Sequence, residues 1–247
     1  KRQLKAGGLE MHLQPKTLIE SGAVVAAEAL SRWHDPDIGA ISPDMFIDLA
    51  ESTGQIGDVT QFAIQTSCRI LSEWSEALPE LQLAINISPS LITNRDIVEL
   101  VRSSTRIWGV APERLTLEIT ETALMDHGDA SHGVLTAIRD FGCKVSIDDF
   151  GTGYSSLAYL KDIPADELKI DRTFVMGMLE DPGDYKIVEH AINIAKSFDL
   201  SVVAEGIESK ETLDALTRLH CDFAQGYYIS KPLPADEFLK FCRDYRG

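Results

Sequence analysis

Short apolar runs that each stop on a polar, mostly acidic residue recur along this chain, and that recurrence restricts its folds more than any other feature. Met11-His12-Leu13-Gln14 comes first. Val24-Val25-Ala26-Ala27-Glu28, Leu83-Ala84-Ile85-Asn86, Leu115-Thr116-Leu117-Glu118, Val145-Ser146-Ile147-Asp148-Asp149, Leu168-Lys169, Val202-Val203-Ala204-Glu205 and Phe223-Ala224-Gln225 follow. Helical patterns separate most of them. Strands alternating with helices predict a parallel sheet, and about eight such units predict a closed β/α barrel. The 247 residues match the roughly 250 of one such barrel, so a single domain over 1–247 is expected. The C-terminal ends of barrel strands form its active face. Carboxylates gathered on that rim, with amides and one lysine, describe an oxygen-donor site for hard cations acting on a phosphate.

The helices between the strands carry their own signals. Ser42-Pro43 offers an N-cap and a proline at the first helical position, ahead of Phe46, Leu49 and Ala50, and Gly54 closes the pattern. Val59, Phe62, Ala63, Ile70, Leu71 and Trp74 keep helical spacing, as do Val134, Leu135, Ile138 and Phe141, and Tyr185, Val188, Ala191, Ile192, Ala195 and Phe198. Leu213, Leu216 and Leu219, then Phe238, Leu239 and Cys242, complete the set. These stripes are expected to face the core and carry no chemistry. The strands at Met11 to Pro15 and Ala23 to Leu30 are joined only by 16–22, with Ser21-Gly22 as the turn. A helical crossover needs a dozen or more residues, so these two strands are expected to be antiparallel. The predicted class is therefore α/β, a modified TIM (β/α)8 barrel with an antiparallel first strand.

A formal net charge of -16 argues against a nucleic-acid polymer as partner, because no basic stripe is available for its backbone. A small anionic substrate stays open, since bound divalent cations reverse the local sign of an acidic pocket. Four cysteines, at 68, 143, 221 and 242, form no CxxC pair and read as free thiols of a reducing compartment. The six histidines form no spaced zinc pattern. No apolar run approaches the roughly 20 residues of a membrane span. The opening Lys1-Arg2-Gln3-Leu4 lacks a methionine. The chain reads as a cytoplasmic domain excised from a longer protein, which has room for a membrane anchor elsewhere.

The polar ends lie in longer motifs: Ala27-Glu28-Ala29-Leu30-Ser31-Arg32-Trp33, Ile85-Asn86-Ile87-Ser88, Leu117-Glu118-Ile119-Thr120-Glu121, the run Ser146 to Leu157 containing Asp148-Asp149-Phe150-Gly151-Thr152-Gly153, Leu168-Lys169-Ile170-Asp171, Ala204-Glu205-Gly206-Ile207-Glu208 and Ala224-Gln225-Gly226-Tyr227. In these motifs, from about Leu9 to Leu233, the chain resembles the EAL-domain family of bacterial phosphodiesterases specific for cyclic di-GMP. Each tripeptide alone is weak; all of them in order at barrel spacing are specific. The resemblance implies hydrolysis of cyclic di-GMP to linear pGpG with two Mg²⁺ or Mn²⁺ ions per active site and inhibition by Ca²⁺. It implies Glu28, Asn86, Glu118 and Asp148 as ligands of one ion, and Asp148, Asp149 and Glu205 as ligands of the other. Lys169 is implied as the residue holding the attacking water, with Glu205 as a general base. Gln225 is implied as a support of the second ion and of substrate, Arg32 as a substrate-phosphate contact, and Gln14 and Leu30 as substrate-side residues. Glu121 is implied as an anchor of the loop from Asp149 to Ser155, accepting from loop backbone, Thr152 or Ser155. A homodimer, and sensory or cyclase-like domains upstream of this chain, complete the implication.

Plainer roles stand beside these. Asn86 can cap the segment at Ser88-Pro89, Lys169 can pair with an inner carboxylate, Arg32 can form a surface salt bridge, and Glu121 can serve as a helix N-terminal acid. Asp171 reads as structural, and Glu208 is balanced between a loop role and a helix-end role. Two departures from the family pattern are visible, Leu13 where an aromatic is frequent and the order Trp33-His34-Asp35-Pro36. The rival functions are a non-catalytic cyclic di-GMP receptor and a dimerising signalling scaffold.

Overall fold

A computed structural model describes residues 8–153 and 160–245. In chain order the elements are β1 (Leu9–Leu18), β2 (Val24–Asp35), β3 (Gly39–Ile41), α1 (Pro43–Ser52), α2 (Ile56–Glu73), β4 (Gln82–Asn86), α3 (Asp96–Trp108), β5 (Leu115–Thr120), α4 (Glu121–Asp140), β6 (Lys144–Phe150), β7 (Glu167–Ile170), α5 (Arg172–Gly177), α6 (Pro182–Ser197), β8 (Ser201–Ala204), α7 (Lys210–Arg218), β9 (Phe223–Ala224), β10 (Leu233–Pro234) and α8 (Ala235–Asp244).

The strands run β1-β9-β8-β7-β6-β5-β4-β2 and close through the β1–β2 pairing, with β10 and β3 added outside that ring. Neighbours from β2 to β9 are parallel, whereas β1 is antiparallel to both β2 and β9. The modified barrel with a reversed first strand is thus the observed fold. Alternation along the strands explains the closure. Leu117, Val145, Ile147, Leu168 and Ile170 are fully buried and share one core cluster with helix residues such as Val134, Leu135, Val188 and Ile192. The residues between them, Glu118, Ser146, Asp148, Glu167 and Lys169, are also buried and take the opposite face, toward the barrel axis. The barrel interior is therefore polar and its outer wall is apolar.

Several local expectations are corrected. The second strand does not end at Leu30, because β2 continues to Asp35 and folds back through β3. The first hairpin is likewise longer than its apolar run, with a register shift at Lys16/Thr17. Extended pairing between two long antiparallel strands overrides the polar residues that seemed to stop each run. Ser42 occupies the N-cap of α1 with Pro43 behind it, but its side chain makes no cap hydrogen bond. Leu49 is 52% exposed rather than core-facing. Helix α1 lies outside the main core, on a small cluster of Phe46, Ala50, Ile56 and Val59 supported by Leu9 and Trp33, so only one narrow face of it is covered. All four cysteines are free, and no helix among the described residues is long and apolar enough to cross a membrane.

Candidate functional site

Lys169 is the centre of the site. It comes from β7, its side chain is 1% exposed, and its Nζ lies 2.7 Å from Glu205 Oε1, 3.0 Å from Glu118 Oε2, 3.1 Å from Asp148 Oδ1 and 3.7 Å from Glu28 Oε2. Each acid arrives from a different strand, so only barrel closure brings them together. Asn86 Nδ2 and Gln225 Nε2 each donate to a different Glu28 oxygen at 2.7 Å. Gln225 also reaches Gln14 Oε1 at 3.4 Å, and Gln14 donates to Ser230 O. Glu28 is placed for this by register, since Gln14 and Glu28 are direct cross-strand partners in β1 and β2.

Adjacent residues of a strand point to opposite faces, so Asp148 and Asp149 could not both face the axis in regular β-structure. The strand solves this with a bulge. Ile147 pairs with Leu168 and Phe150 with Ile170, leaving two aspartates opposite the single Lys169. Asp149 adopts φ 55, in the left-handed region sparsely used by residues with a side chain. Its amide donates to Asp148 Oδ1 at 2.9 Å. As a result Asp148, Asp149 and Glu205 each present a carboxylate oxygen within 4.8 Å of the others.

One lysine does not neutralise this many buried acids, and their proton affinities record the deficit. Burial pushes Glu205 up to about 8 despite Lys169 beside it. Burial, then the charges of Asp148 and Asp171, push Asp149 up to about 6. Burial holds Glu118 well above the usual carboxylate range. Glu28 goes the other way: burial alone would raise it, but Lys169 and the Gln225 and Asn86 hydrogen bonds together lower it. For Lys169, burial is outweighed by the surrounding carboxylates, which hold it firmly protonated.

The acids open onto a cleft of ≈ 820 Å³. Gln14, Glu28, Leu30, Arg32, Asp148, Asp149, Lys169, Glu205 and Gln225 all line it. Asn86 lies instead on an adjoining apolar cavity of ≈ 290 Å³ between α1, α2 and β4, which Leu30 and Arg32 share. Glu118 lines neither cavity; it sits behind Lys169. Arg32 Nη1 donates to Ser31 O, and among the described residues no carboxylate forms a salt bridge with it. Glu121 is buried at the first position of α4, and its Oε2 accepts the Gly151 amide at 3.0 Å. Thr152 bonds Asp149 O rather than Glu121, and Ser155 lies outside the described residues. Asp171 accepts from the Thr173 amide at the N-cap of the short helix after β7, and it also lines the cleft. Glu208 is exposed on the cleft rim.

Sequence reasoning missed Asp44, Arg172 and Tyr227, which also line the cleft. Arg172 directly follows the Leu168-Lys169-Ile170-Asp171 motif and Tyr227 closes the Ala224-Gln225-Gly226-Tyr227 motif, so adjacency was a signal for both, whereas Asp44 lies in the first turn of α1, away from every site motif. The 56% exposure of Tyr227, unusual for an aromatic, was not legible before the fold.

Comparison with known proteins agrees with this geometry. A profile of the EAL domain matches residues 1–232. The chain is 38% identical over 240 residues to the bifunctional diguanylate cyclase/cyclic di-GMP phosphodiesterase MucR of Pseudomonas aeruginosa, covering 97% of this chain and 35% of that protein. It is 40% identical over 247 residues to the cyclic di-GMP phosphodiesterase NbdA of the same organism, covering 100% and 32%. It therefore spans about a third of the length of these curated relatives. A solved PaMucR phosphodiesterase in complex with c-di-GMP superposes with a TM-score of 0.92 at 37% identity, covering 96% of each chain.

Proposed function

The chain belongs to the EAL-domain family, and from that premise we propose that it hydrolyses one phosphodiester bond of cyclic di-GMP to give linear pGpG with the help of two Mg²⁺ or Mn²⁺ ions. The observation that carries this reading is the convergence of Glu28, Glu118, Asp148 and Glu205 on Lys169 at the base of a cleft that also holds Arg32. The donor set is entirely oxygen, and three carboxylates lie within reach of one another. That fits hard divalent cations, which take carboxylate and amide oxygens. Glu28, Asn86, Glu118 and Asp148 would hold one ion, and Asp148, Asp149 and Glu205 the other, with Gln225 in support. When bound, the ions supply Lewis acidity and offset the charge on the phosphate.

The chain's own groups do the remainder. The Arg32 fork suits a phosphate, while Gln14, Leu30 and Gln225 hold the substrate side of the cleft. Lys169 donates to the attacking water and orients it. Glu205, 2.7 Å from Lys169 Nζ, accepts the proton from that water. The domain works in the cytoplasm, as a homodimer, within a longer protein carrying sensory or cyclase-like domains; support for the longer protein is the third of its relatives' length that it spans.

The test is product analysis with cyclic di-GMP. Mg²⁺ and Mn²⁺ are expected to give pGpG. Ca²⁺ is expected to allow binding and block turnover, because it prefers 6–8 oxygens at about 2.3–2.6 Å and misplaces the water. Binding without turnover in every metal would establish the receptor reading instead, and absence of binding would leave the scaffold.

A further inference from the structure

Beneath the acidic cage lies a second buried ion pair that the proposed reaction does not use. Lys16 Nζ is 2.6 Å from Glu167 Oε2, with both side chains under 10% exposed (7% and 8%). The other Glu167 oxygen accepts from Ser146 Oγ at 3.1 Å, and Lys16 Nζ lies 5.2 Å from the centre of the Phe223 ring. Each member stands two residues below a member of the cage on the same strand: Lys16 below Gln14 on β1, Ser146 below Asp148 on β6, Glu167 below Lys169 on β7. Two residues along a strand keep the same face and differ by about 7 Å. The pair is therefore the next layer of the barrel interior, directly under the metal-binding carboxylates.

The two layers are within electrostatic reach. Lys16 stands two residues below Gln14, the cross-strand partner of Glu28, a separation of about 7 Å along the strand. A lysine stem is flexible and its ammonium is a point charge. Lys16 released from its partner would have the carboxylates of the cage one layer above it. A second ammonium in the cage would compete with divalent cations for the same oxygens. Both Glu167 oxygens are committed to keeping Lys16 low, one by direct contact and one by its tie to Ser146.

We propose that Glu167 is a positioning residue that tethers Lys16 in the lower layer, so that the cage holds one ammonium, Lys169, and its remaining carboxylate oxygens stay available to metal. The inference rests on the two-metal reading above. A plain buried salt bridge would matter for stability alone, and replacing both partners with apolar groups is often tolerated. A tether makes a different demand, because losing Glu167 harms metal binding only while Lys16 is present.

The test is Mn²⁺ binding by titration calorimetry on the whole chain, alongside thermal unfolding in EDTA. Glu167→Gln is expected to weaken Mn²⁺ binding about tenfold, from the uncompensated like charge beneath the site. Adding Lys16→Met to that variant is expected to return the affinity to near the starting value, although the ion pair is then gone altogether. Wild-type affinity in Glu167→Gln, or a deficit that Lys16→Met leaves uncorrected, overturns the tether. If Glu167→Gln does not fold, Glu167→Asp keeps the charge but draws it away from Lys16. A smaller loss of Mn²⁺ affinity is then expected, and unchanged affinity overturns the proposal. Failure of the unmodified chain to bind Mn²⁺ would refute the two-metal reading itself, a result separable from all of these.

Discussion

The two charged layers of the barrel interior are built from the same residue types on shared strands and reach opposite settlements. The lower layer sets one lysine against one glutamate, with a hydroxyl on the remaining oxygen. The upper layer sets one lysine against four carboxylates and opens to a cleft. Buried charge is costly unless paired. The lower layer meets that requirement within the chain. In the upper layer the chain leaves an excess of negative charge, and burial first, with neighbouring carboxylates adding to it, holds Glu205 and Asp149 above their ordinary proton affinities. The difference separates an ion pair that stabilises the barrel from a cluster that is completed only by added positive charge, whether protons or metal.

The largest effect that would break this contrast concerns the upper-layer acids. Glu28→Ala, Asp148→Ala and Glu205→Ala are each expected to lower turnover of cyclic di-GMP by more than about 10³-fold, since each removes an oxygen from the proposed metal set. Thermal unfolding in EDTA should meanwhile stay level or rise for Asp148→Ala and Glu205→Ala, because one of several crowded like charges is gone, and fall modestly without loss of folding for Glu28→Ala, which strips the acceptor from Asn86 and Gln225. Inactivity accompanied by unfolding would place these acids with the lower layer, as structural partners.

A smaller effect is expected at Glu121, which ties the loop after the bulged aspartates to α4 through the Gly151 amide. Glu121→Ala should weaken apparent Mg²⁺ affinity and activity by about tenfold, in the range of outer-shell partners of metal ligands. A titration of activity against Mg²⁺ decides it. An unchanged curve would leave Glu121 as a helix N-terminal acid only.

The mildest effect is on pH. A carboxyl raised in the folded state contributes stability that is present below its ordinary value and lost as pH rises through its folded value. For Glu205 that interval runs from 4.5 to about 8, and for Asp149 from 3.8 to about 6. Glu28, which is lowered, acts in the opposite sense and only at the acid end. In EDTA the melting temperature is therefore expected to fall between pH 5 and pH 8.5, with Mn²⁺ restoring it at the upper end and Glu205→Gln flattening the slope. A metal-free protein equally stable across that interval would show the upper layer to be as balanced as the lower.

Much of this was legible because it is written locally. Helical spacing at Tyr185 to Phe198 located α6, and the short connection before Val24 forced β1 to run against β2, since no crossover fits in it. The polar residues closing each apolar run named most of the cleft. What stayed hidden is non-local. The run ending at Glu28 gave no sign that β2 would continue to Asp35, because its extension is held by pairing with β1 and β3. The exposure of Leu49 reflects how little of α1 the barrel covers.

The site divides along the same line. Composition and order determined that acids, amides and a lysine would collect on one rim, because strand ends in a β/α barrel share a face. Only the closed barrel decided that Asp148 and Asp149 both reach that rim, through a bulge that sets two residues against Lys169. Only closure, too, set Lys16 from the first strand against Glu167 from the seventh, 151 positions away. Periodicity records which face a residue takes along its own strand. Which charges meet across the axis depends on register and shear around the whole ring, and no local stretch of sequence contains that information.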